Sequence, residues 1–176
     1  PPRSTLFPYT TLFRSVQLAD FAGKVVVLEW TNAGCPFVRK HYDSGNMQAL
    51  QKRWTERGVV WLTMNSSAKG KQGHVDAEGA RKEIAKNKAA PTAYLLDHDG
   101  KVGKAYGATA TPHMFVIDRE GKIAYAGAID DKPSTDVADV AGAKNYVSAA
   151  LEAVLDGKPV ETKATRAYGC SMKYAD

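Results

Sequence analysis

Cys35 is the residue of this sequence that is best placed for chemistry. It follows an apolar run at residues 24–30 and directly precedes Pro36, a residue that favours the first position of a helix. A cysteine at such an N-cap faces unpaired backbone N–H groups and the positive end of the helix dipole, and both favour the thiolate. The basic residues 39–41 add positive potential. We therefore predict a nucleophilic thiol with a lowered pKa, and the alternative is an inert buried cysteine.

Cys170 is the only other cysteine of the chain. It could attack an oxidised Cys35 and close a disulfide, either within one chain or between the two chains of a dimer, because a C-terminal tail can fold back or cross over. It could also form a permanent structural disulfide with Cys35, or have no redox role. Two thiols exclude a cysteine-knotted scaffold and a tetrathiolate zinc site.

The pair Thr111–Pro112 is a second feature, because it directly precedes the apolar stretch HMFVID. Proline cannot donate a hydrogen bond to a sheet, so it predicts a turn or a strand start, and its peptide bond could be cis. The next residue, His113, could face the thiol or be an ordinary packed or surface histidine. Trp30 could form the wall of a pocket or belong to the core. Glu29 could accept a proton near the thiol or occupy an edge position or a strand end.

The elements that must position these residues alternate along the chain. Periodicity and turn residues predict strands at 24–30, 59–65 and 91–97, helices at 36–57, 76–89 and 139–156, and a hairpin at 113–128 that turns at Glu120-Gly121. This order implies an α/β fold with a central mixed β-sheet flanked by helices. Reactive groups of such sheets lie beyond the carboxyl ends of the strands, where Cys35 stands.

We divide the chain into three parts. Residues 16–157 form one α/β domain, and residues 158–176 form an irregular tail that carries Cys170. In the first 15 residues the pentapeptides RSTLF and TLFRS flank Pro8-Tyr9-Thr10, and LFRS is also what the end of a common sequencing adapter encodes. We interpret residues 1–15 as an artefactual or disordered leader. The compartment therefore cannot be inferred from this end of the chain.

Charge and motif content argue against several classes of protein. The formal net charge is +5, but the basic residues are scattered among acidic ones, which argues against nucleic-acid binding. No stretch reaches the roughly 18 to 20 apolar residues of a membrane span. Cys35, His41 and Met47 lack the spacing of a metal site, and the sequence contains no phosphate-binding glycine loop and no GxSxG elbow. We expect neither a metal nor a cofactor.

Three segments carry a family resemblance: VVVLEWTNAGCPFVRKH, GATATPHMFVID and EGKIAYAGAIDD. Over residues 16–174 the chain resembles thioredoxin-fold redoxins of the alkyl hydroperoxide reductase/thiol-specific antioxidant family. It is most similar to peroxiredoxin-like proteins with a GCPFV turn and a GCS-x-KY tail. The resemblance implies a thioredoxin-like fold, Cys35 as the redox cysteine, and Pro112 as a cis-proline packed beside it. It also implies a periplasmic or exported protein, which suits a chain with two cysteines.

The resemblance and the sequence together define a candidate site. We take Cys35 and Cys170 as the catalytic pair. The residues that we expect around the substrate are Trp30, Asn32, Pro36, Thr111, Pro112 and His113.

Two departures from the family patterns bear on mechanism. The C-x-x-C motif of thioredoxins would place a second cysteine at Val38, so no neighbouring thiol is available. The P-x-x-x-T-x-x-C motif of peroxiredoxins would place proline and threonine at Leu28 and Asn32, and Thr31 lies one residue out of register. These substitutions put the usual peroxidase geometry in doubt.

We therefore predict a thiol-dependent oxidoreductase of the peroxiredoxin-like, antioxidant kind, with Cys35 as nucleophile and Cys170 as the candidate resolving thiol. The alternatives are a thiol–disulfide exchange protein without peroxidase activity and a non-catalytic binding module. Expected partners are a peroxide or a protein or small-molecule disulfide, and an external thiol reductant such as a thioredoxin-type donor. The chain could also form a homodimer.

Overall fold

A computed structural model describes residues 16–175 in full, together with the backbone of Thr5–Leu6 and Pro8–Tyr9. These two short segments form strands, one paired with Val16–Gln17 and the other with Ala93–Leu96. The remaining residues of the proposed leader at 1–15 lie outside the described part of the chain. The interpretation of that segment stays a prediction.

The domain contains ten strands, five α-helices and two 3₁₀ helices among the described residues. In chain order the strands and α-helices are β1 (Thr5–Leu6), β2 (Pro8–Tyr9), β3 (Val16–Gln17), β4 (Val26–Trp30), α1 (Pro36–Asp43), α2 (Asn46–Thr55), β5 (Val60–Asn65), α3 (Ala77–Asn87), β6 (Ala93–Leu96), α4 (Lys101–Tyr106), β7 (Ala110–Thr111), β8 (His113–Ile117), β9 (Ile123–Gly127), α5 (Tyr146–Leu155) and β10 (Cys170–Ser171). The 3₁₀ helices are Leu18–Phe21 and Val137–Gly142. No helix in this part of the chain is long and apolar enough to cross a membrane.

The central sheet has six strands in the order β2-β6-β5-β4-β8-β9. Strands β4, β5 and β6 run parallel, whereas β8 is antiparallel to β4 and β9 is antiparallel to β8. This arrangement is the mixed sheet that the sequence predicts. Because β4 is a central strand, the turn that follows its carboxyl end lies in the middle of the sheet edge, where Cys35 stands.

Strand β4 is buried on both faces, and its side chains alternate between two cores. Val27 belongs to the core that the sheet shares with α2 and α5, whereas Leu28 and Trp30 belong to the core that includes Val102 of α4. Burial on both faces explains why this strand is an uninterrupted run of large, mainly apolar residues rather than an alternating pattern. The strand is thereby fixed firmly beneath the turn that carries the cysteine.

The single helix expected over residues 36–57 is wrong, because the structure contains two. Helix α1 ends at Asp43 and α2 begins at Asn46. Between them Gly45 has a φ of 76°, a left-handed conformation that glycine adopts without steric cost. The helical spacing of apolar residues resumes in α2 after this break, so the sequence pattern predicts one continuous helix.

The last helix begins later than the sequence predicts. Residues 139–156 read as one helix, but α5 starts at Tyr146, where the Asn145 side chain caps it by accepting from the N–H of Ser148 at 2.8 Å. The preceding turns form the 3₁₀ helix Val137–Gly142. The prediction is therefore wrong about the start of this element.

The C-terminal tail is not irregular throughout, contrary to expectation. Strand β10 pairs antiparallel with β7, so that Cys170 lies opposite Thr111 and Ser171 opposite Ala110. Further back, the N–H of Thr165 donates to the carbonyl of Ala126 at 3.1 Å. The tail therefore folds back across its own domain.

Candidate active site

Cys35 stands in a tight turn between β4 and α1. Its N–H donates to the carbonyl of Asn32 at 2.9 Å. The Asn32 side chain fixes the same turn, because Oδ1 accepts from the N–H of Gly34 at 2.8 Å and Nδ2 donates to the carbonyl of Gln72 at 3.1 Å. Pro36 is the first residue of α1, so Cys35 occupies the N-cap position at the positive end of the helix dipole, as predicted.

The sulfur of Cys35 faces the loop before β8. The Cys35 side chain is completely buried, and Sγ in its protonated form donates to the carbonyl of Thr111 at 3.1 Å. The Thr111–Pro112 peptide bond is cis, as the resemblance implies. Of the residues expected around the substrate, Asn32, Pro36, Thr111 and Pro112 thus belong to the turns that flank the sulfur.

Cys170 approaches Cys35 within the same chain. Its backbone pairs with that of Thr111, whose carbonyl meets the Cys35 sulfur, and both cysteines are free thiols. Cys170 is partly exposed, whereas Cys35 has no accessible surface. The fold of a single chain therefore brings the two thiols together, and the alternatives of a cycling and a permanent disulfide both stay predictions.

The two thiols have opposite pKa shifts. Burial raises the pKa of Cys35, but hydrogen bonds from the Cys170 thiol and from the backbone N–H groups of Val38 and Cys170 outweigh it, so the net pKa lies below the usual 9.0. Burial, the hydrogen bond to Cys35 and the charge of Cys35 raise the pKa of Cys170 to about 11. Cys35 is therefore the more acidic thiol of the pair, and Cys170 is the less acidic one.

The basic residues 39–41 do not supply the positive potential expected of them. Arg39 is exposed, and Lys40 is buried with its Nζ donating to the carbonyl of Lys132 at 2.7 Å. Burial lowers the pKa of His41 to about 4, so this histidine is neutral. None of the three is among the groups that lower the pKa of Cys35. Hydrogen bonds, rather than neighbouring cations, account for the lowered pKa of Cys35.

His113 and Trp30 are core residues rather than groups that touch the sulfur. The indole Nε1 of Trp30 donates to Ser66 Oγ at 2.9 Å, and its ring packs edge-on against Phe115. His113 stacks on the same phenyl ring, and its Nδ1 accepts from the N–H of Thr109 at 3.2 Å. Burial lowers the pKa of His113 to about 4. For both residues the structure supports the packing alternative, and none of their described contacts reaches Cys35.

Glu29 is the next-to-last residue of β4, an interior strand of the sheet, so the edge position is wrong, whereas a position near the strand end is correct. Its carboxyl group accepts four hydrogen bonds, at 2.6 to 3.1 Å, from the side chains of Tyr42, Gln51, Trp61 and Thr63. Burial raises the pKa of Glu29 although each of these donors lowers it. The carboxylate therefore ties the helices after Cys35 to the sheet, and no described contact links it to the thiol.

A cavity of about 250 Å³ lies behind the Cys35 turn. It is lined among others by Ala33, Val38, Tyr42, Glu83 and Tyr94, and Cys35 is not one of its lining residues. Within residues 16–175, no group of three or more histidine, cysteine or acidic side chains could hold a metal ion.

Sequence spacing does not predict the contacts that fasten the tail. Tyr168, two residues before Cys170, donates from its hydroxyl to Asp130 Oδ1 at 2.5 Å. Tyr174, four residues after Cys170, donates to the carbonyl of Ala108 at 2.8 Å. Tyr174 belongs to the GCS-x-KY tail motif, but Tyr168 and Asp130 lie 38 residues apart and no spacing rule connects them.

Comparison with known protein families identifies the fold. The Redoxin family matches residues 2–145, most of the chain. The chain belongs to the Redoxin family. With the mixed sheet and flanking helices, this membership confirms the thioredoxin-like fold. The narrower resemblance to peroxiredoxin-like proteins stays a prediction. No curated protein sequence matches the chain.

Several solved structures resemble this redoxin closely. An uncharacterized conserved protein from Geobacillus kaustophilus is 27% identical, covers 99% of this chain and 89% of its own, and superposes with a TM-score of 0.82. A hypothetical protein from Sinorhizobium meliloti is 24% identical and covers 98% of this chain and 95% of its own. Its TM-score of 0.77 shows that the two proteins share the fold. A Chlorobium tepidum structure described as thiol:disulfide interchange protein DsbE is 26% identical over 69% of this redoxin and 77% of that chain, with a TM-score of 0.54.

Proposed function

We propose that this redoxin is a thiol–disulfide oxidoreductase in which Cys35 and Cys170 alternate between two thiols and one intramolecular disulfide. The observation that supports the proposal best is the pairing of Cys170 with Thr111, whose carbonyl meets the Cys35 sulfur, because it brings a second thiol close to the first. The Chlorobium tepidum structure is described as that of a thiol:disulfide interchange protein, which supports the same activity.

The first step is attack by the Cys35 thiolate on a substrate disulfide. A sulfur–sulfur bond forms between Cys35 and one substrate sulfur, and the other substrate sulfur leaves as a thiolate. The lowered pKa of Cys35 increases the fraction of this nucleophile that is thiolate at a given pH. The positive end of α1 stabilises the same charge.

Cys170 then resolves the mixed disulfide. While Cys35 is a thiolate, the hydrogen bond and the charge of Cys35 both add to the burial that raises the pKa of Cys170. Once the Cys35 sulfur is bound to the substrate, these two contributions disappear, so Cys170 loses its proton more easily. Its thiolate attacks the Cys35 sulfur, the second substrate thiolate leaves, and the Cys35–Cys170 disulfide remains.

An external thiol reductant is needed to restore the two thiols. Cys170 is the more exposed sulfur of the pair, so an incoming thiolate reaches it first. Attack there expels Cys35, which has the lower pKa and is the better leaving group. A second thiolate of the reductant then releases Cys170 and completes the exchange.

A hydroperoxide is the second candidate substrate, because the fully buried Cys35 favours a small electrophile. In that reaction the thiolate attacks one peroxide oxygen, the O–O bond breaks and the other oxygen leaves as water or an alcohol, so that Cys35 becomes a sulfenic acid. Cys170 then attacks the Cys35 sulfur and displaces water to form the same disulfide. The positions of the peroxiredoxin proline and threonine are used otherwise here, because Leu28 lies in the core and the Asn32 amide is committed to the turn. We therefore favour disulfide exchange over peroxide reduction as the activity of this protein.

Intact-mass analysis of the reduced protein tests this proposal. With a small excess of oxidised glutathione, we expect the wild type to lose two hydrogens and Cys170→Ser to accumulate one glutathione on Cys35. Cys35→Ser should react far more slowly. Equal rates for Cys35→Ser and the wild type would contradict the proposal, and faster turnover of hydrogen peroxide than of disulfide would favour the second candidate.

We also propose a periplasmic or exported location, since an oxidising compartment suits a reversible disulfide couple. The expectation rests on the family resemblance. Recovery of the protein in the periplasmic or culture fraction of its native cell would support it, and an exclusively cytosolic pool would contradict it.

A further inference from the structure

The tail that carries Cys170 also covers Cys35. Strand β10 lies along β7, and the Cys35 side chain beneath it has no exposed surface. Any electrophile larger than a small peroxide can therefore reach Cys35 only after residues 168–174 move away. What holds this segment in place decides how often the nucleophile is accessible.

Tyr168 fastens the segment on one side of Cys170. Its hydroxyl donates to Asp130 Oδ1 at 2.5 Å, so the hydrogen bond of 3.2 Å with His41 must run from His41 Nε2 to the tyrosine oxygen. The other ring nitrogen of His41 accepts from Asn46 Nδ2 at 2.9 Å, which fits this neutral tautomer. His41 lies on α1, the helix that Cys35 caps. Tyr168 thus ties the tail to the element that presents the nucleophile.

Tyr174 fastens the segment on the other side. Its hydroxyl donates to the carbonyl of Ala108 at 2.8 Å, three residues before Thr111. Its ring lies against Gly100 and Gly103, where an added Cβ would stand 2.5 and 2.4 Å from tyrosine atoms. The ring of Tyr174 therefore occupies space that is open only because residues 100 and 103 are glycines.

We propose that Tyr168 and Tyr174 are positioning residues that together form a latch, the two-tyrosine latch, which controls access to Cys35. With the latch closed, Cys170 lies against Cys35 and bulky disulfides are excluded. With the latch open, β10 leaves β7 and Cys35 becomes accessible to a disulfide on a protein. The proposal rests on the proposed function and adds a step to it: the latch opens before attack on a large substrate.

The rate at which iodoacetamide alkylates Cys35 measures latch opening. The reaction joins the Cys35 sulfur to the reagent carbon and releases iodide, and it needs the sulfur to be exposed. In a Cys170→Ser background, which prevents disulfide formation, we expect Tyr168→Phe and Tyr174→Phe each to raise the rate about three- to tenfold. The increase should be larger for Tyr168→Phe, because Tyr168 loses two hydrogen bonds and Tyr174 loses one. The effects should multiply in the double variant. Tyr146→Phe, whose ring lies on α5, is the matched control and should leave the rate unchanged.

A low concentration of urea separates local opening from unfolding of the domain. Opening of a short tail exposes little surface, so the faster alkylation should depend only weakly on urea, whereas access through global unfolding rises steeply with it. A steep urea dependence, or rates within twofold of the background for both tyrosine variants, would overturn the latch.

Failure of the latch and failure of the proposed function give different results. If the wild type forms the Cys35–Cys170 disulfide with glutathione but the tyrosine variants do not accelerate alkylation, only the latch is wrong. If the wild type forms no such disulfide at any glutathione ratio, the proposed function is wrong whatever the alkylation rates.

Discussion

At the scale of single residues, the pKa values of Cys35 and Cys170 depend on each other. The Cys170 thiol and backbone hydrogen-bond to the Cys35 sulfur and lower its pKa, while the same interaction raises the pKa of Cys170 to about 11. Each cysteine therefore sets the protonation state of the other. A change at one position should be measurable as a pKa shift at the other.

Replacement of Cys170 should raise the pKa of Cys35. Cys170→Ala removes the side-chain donor to the thiolate, so the pKa should move up, whereas Cys170→Ser keeps an O–H donor and should restore part of the shift. The pH dependence of Cys35 alkylation measures both. A Cys35 pKa that is the same in wild type and Cys170→Ala would contradict this dependence of the two pKa values.

Asn32 should matter for the turn rather than for a substrate. Asn32→Ala leaves the N–H of Gly34 and the carbonyl of Gln72 without their partners, so we expect a loss of about 2 kcal/mol in the free energy of unfolding. Asn32→Asp keeps the acceptor for Gly34 but turns a carboxylate oxygen towards the carbonyl of Gln72. Urea unfolding should find both variants less stable than the wild type, and equal stability of all three would contradict this role.

The sequence predicts that Cys35 has a lowered pKa, because Pro36 favours the first position of a helix and so makes Cys35 its N-cap. The structure agrees with the direction of this shift. The sequence assigns the wrong cause, since the neighbouring basic side chains point elsewhere and the stabilising donors come from Cys170 and the backbone of Val38. A partner 135 residues away in sequence cannot be found by local spacing. Such a contact can be identified only from the three-dimensional structure.

At the scale of elements, the tail strand β10 brings the two thiols together. It pairs with β7 and is preceded by Gly169, whose φ is 138°. An added Cβ at Gly169 would stand 2.0 Å from the carbonyl oxygen of Thr111, far closer than any real contact. The backbone of the tail can therefore approach β7 only because this residue has no side chain.

Gly169→Ala should push the tail strand off β7 while the domain stays folded. We expect much slower formation of the Cys35–Cys170 disulfide and faster alkylation of Cys35. Gly157→Ala is the matched control, because Gly157 also has a positive φ, 68°, but open space around it. If the two variants form the disulfide at equal rates, close approach at Gly169 is not what places Cys170.

Elements with strong local signals are predicted well, and those that depend on distant partners are not. Strands β4 and β5 follow from their apolar runs, whereas β10 is two residues long and exists only because β7 offers it a partner. The break at Gly45 is hidden because the apolar spacing resumes in α2.

At the scale of the whole molecule, buried titratable groups act on stability in opposite directions. Burial lowers the pKa of both His41 and His113 to about 4, and it raises those of Glu29, Glu83 and Asp97. The histidines favour the folded state more as the pH rises towards 6.5, because the unfolded chain binds the extra protons. The buried carboxyl groups favour the folded state less as the pH rises, since in the folded state they keep protons that the unfolded chain has already released. A pH profile of the wild type alone therefore mixes the two.

A difference profile isolates one histidine. His113→Asn keeps an acceptor for the N–H of Thr109 but removes the titrating ring. Above pH 6.5 both proteins hold a neutral group there, so their stability difference should be constant. As the pH falls from 6.5 towards 4, the unfolded wild type is protonated at this position while the folded form, with its pKa lowered by burial to about 4, is not. The wild type should therefore lose up to about 3 kcal/mol relative to the variant. Urea unfolding at several pH values measures this loss, and a difference that stays constant down to pH 4 would show that His113 is protonated normally in the folded domain.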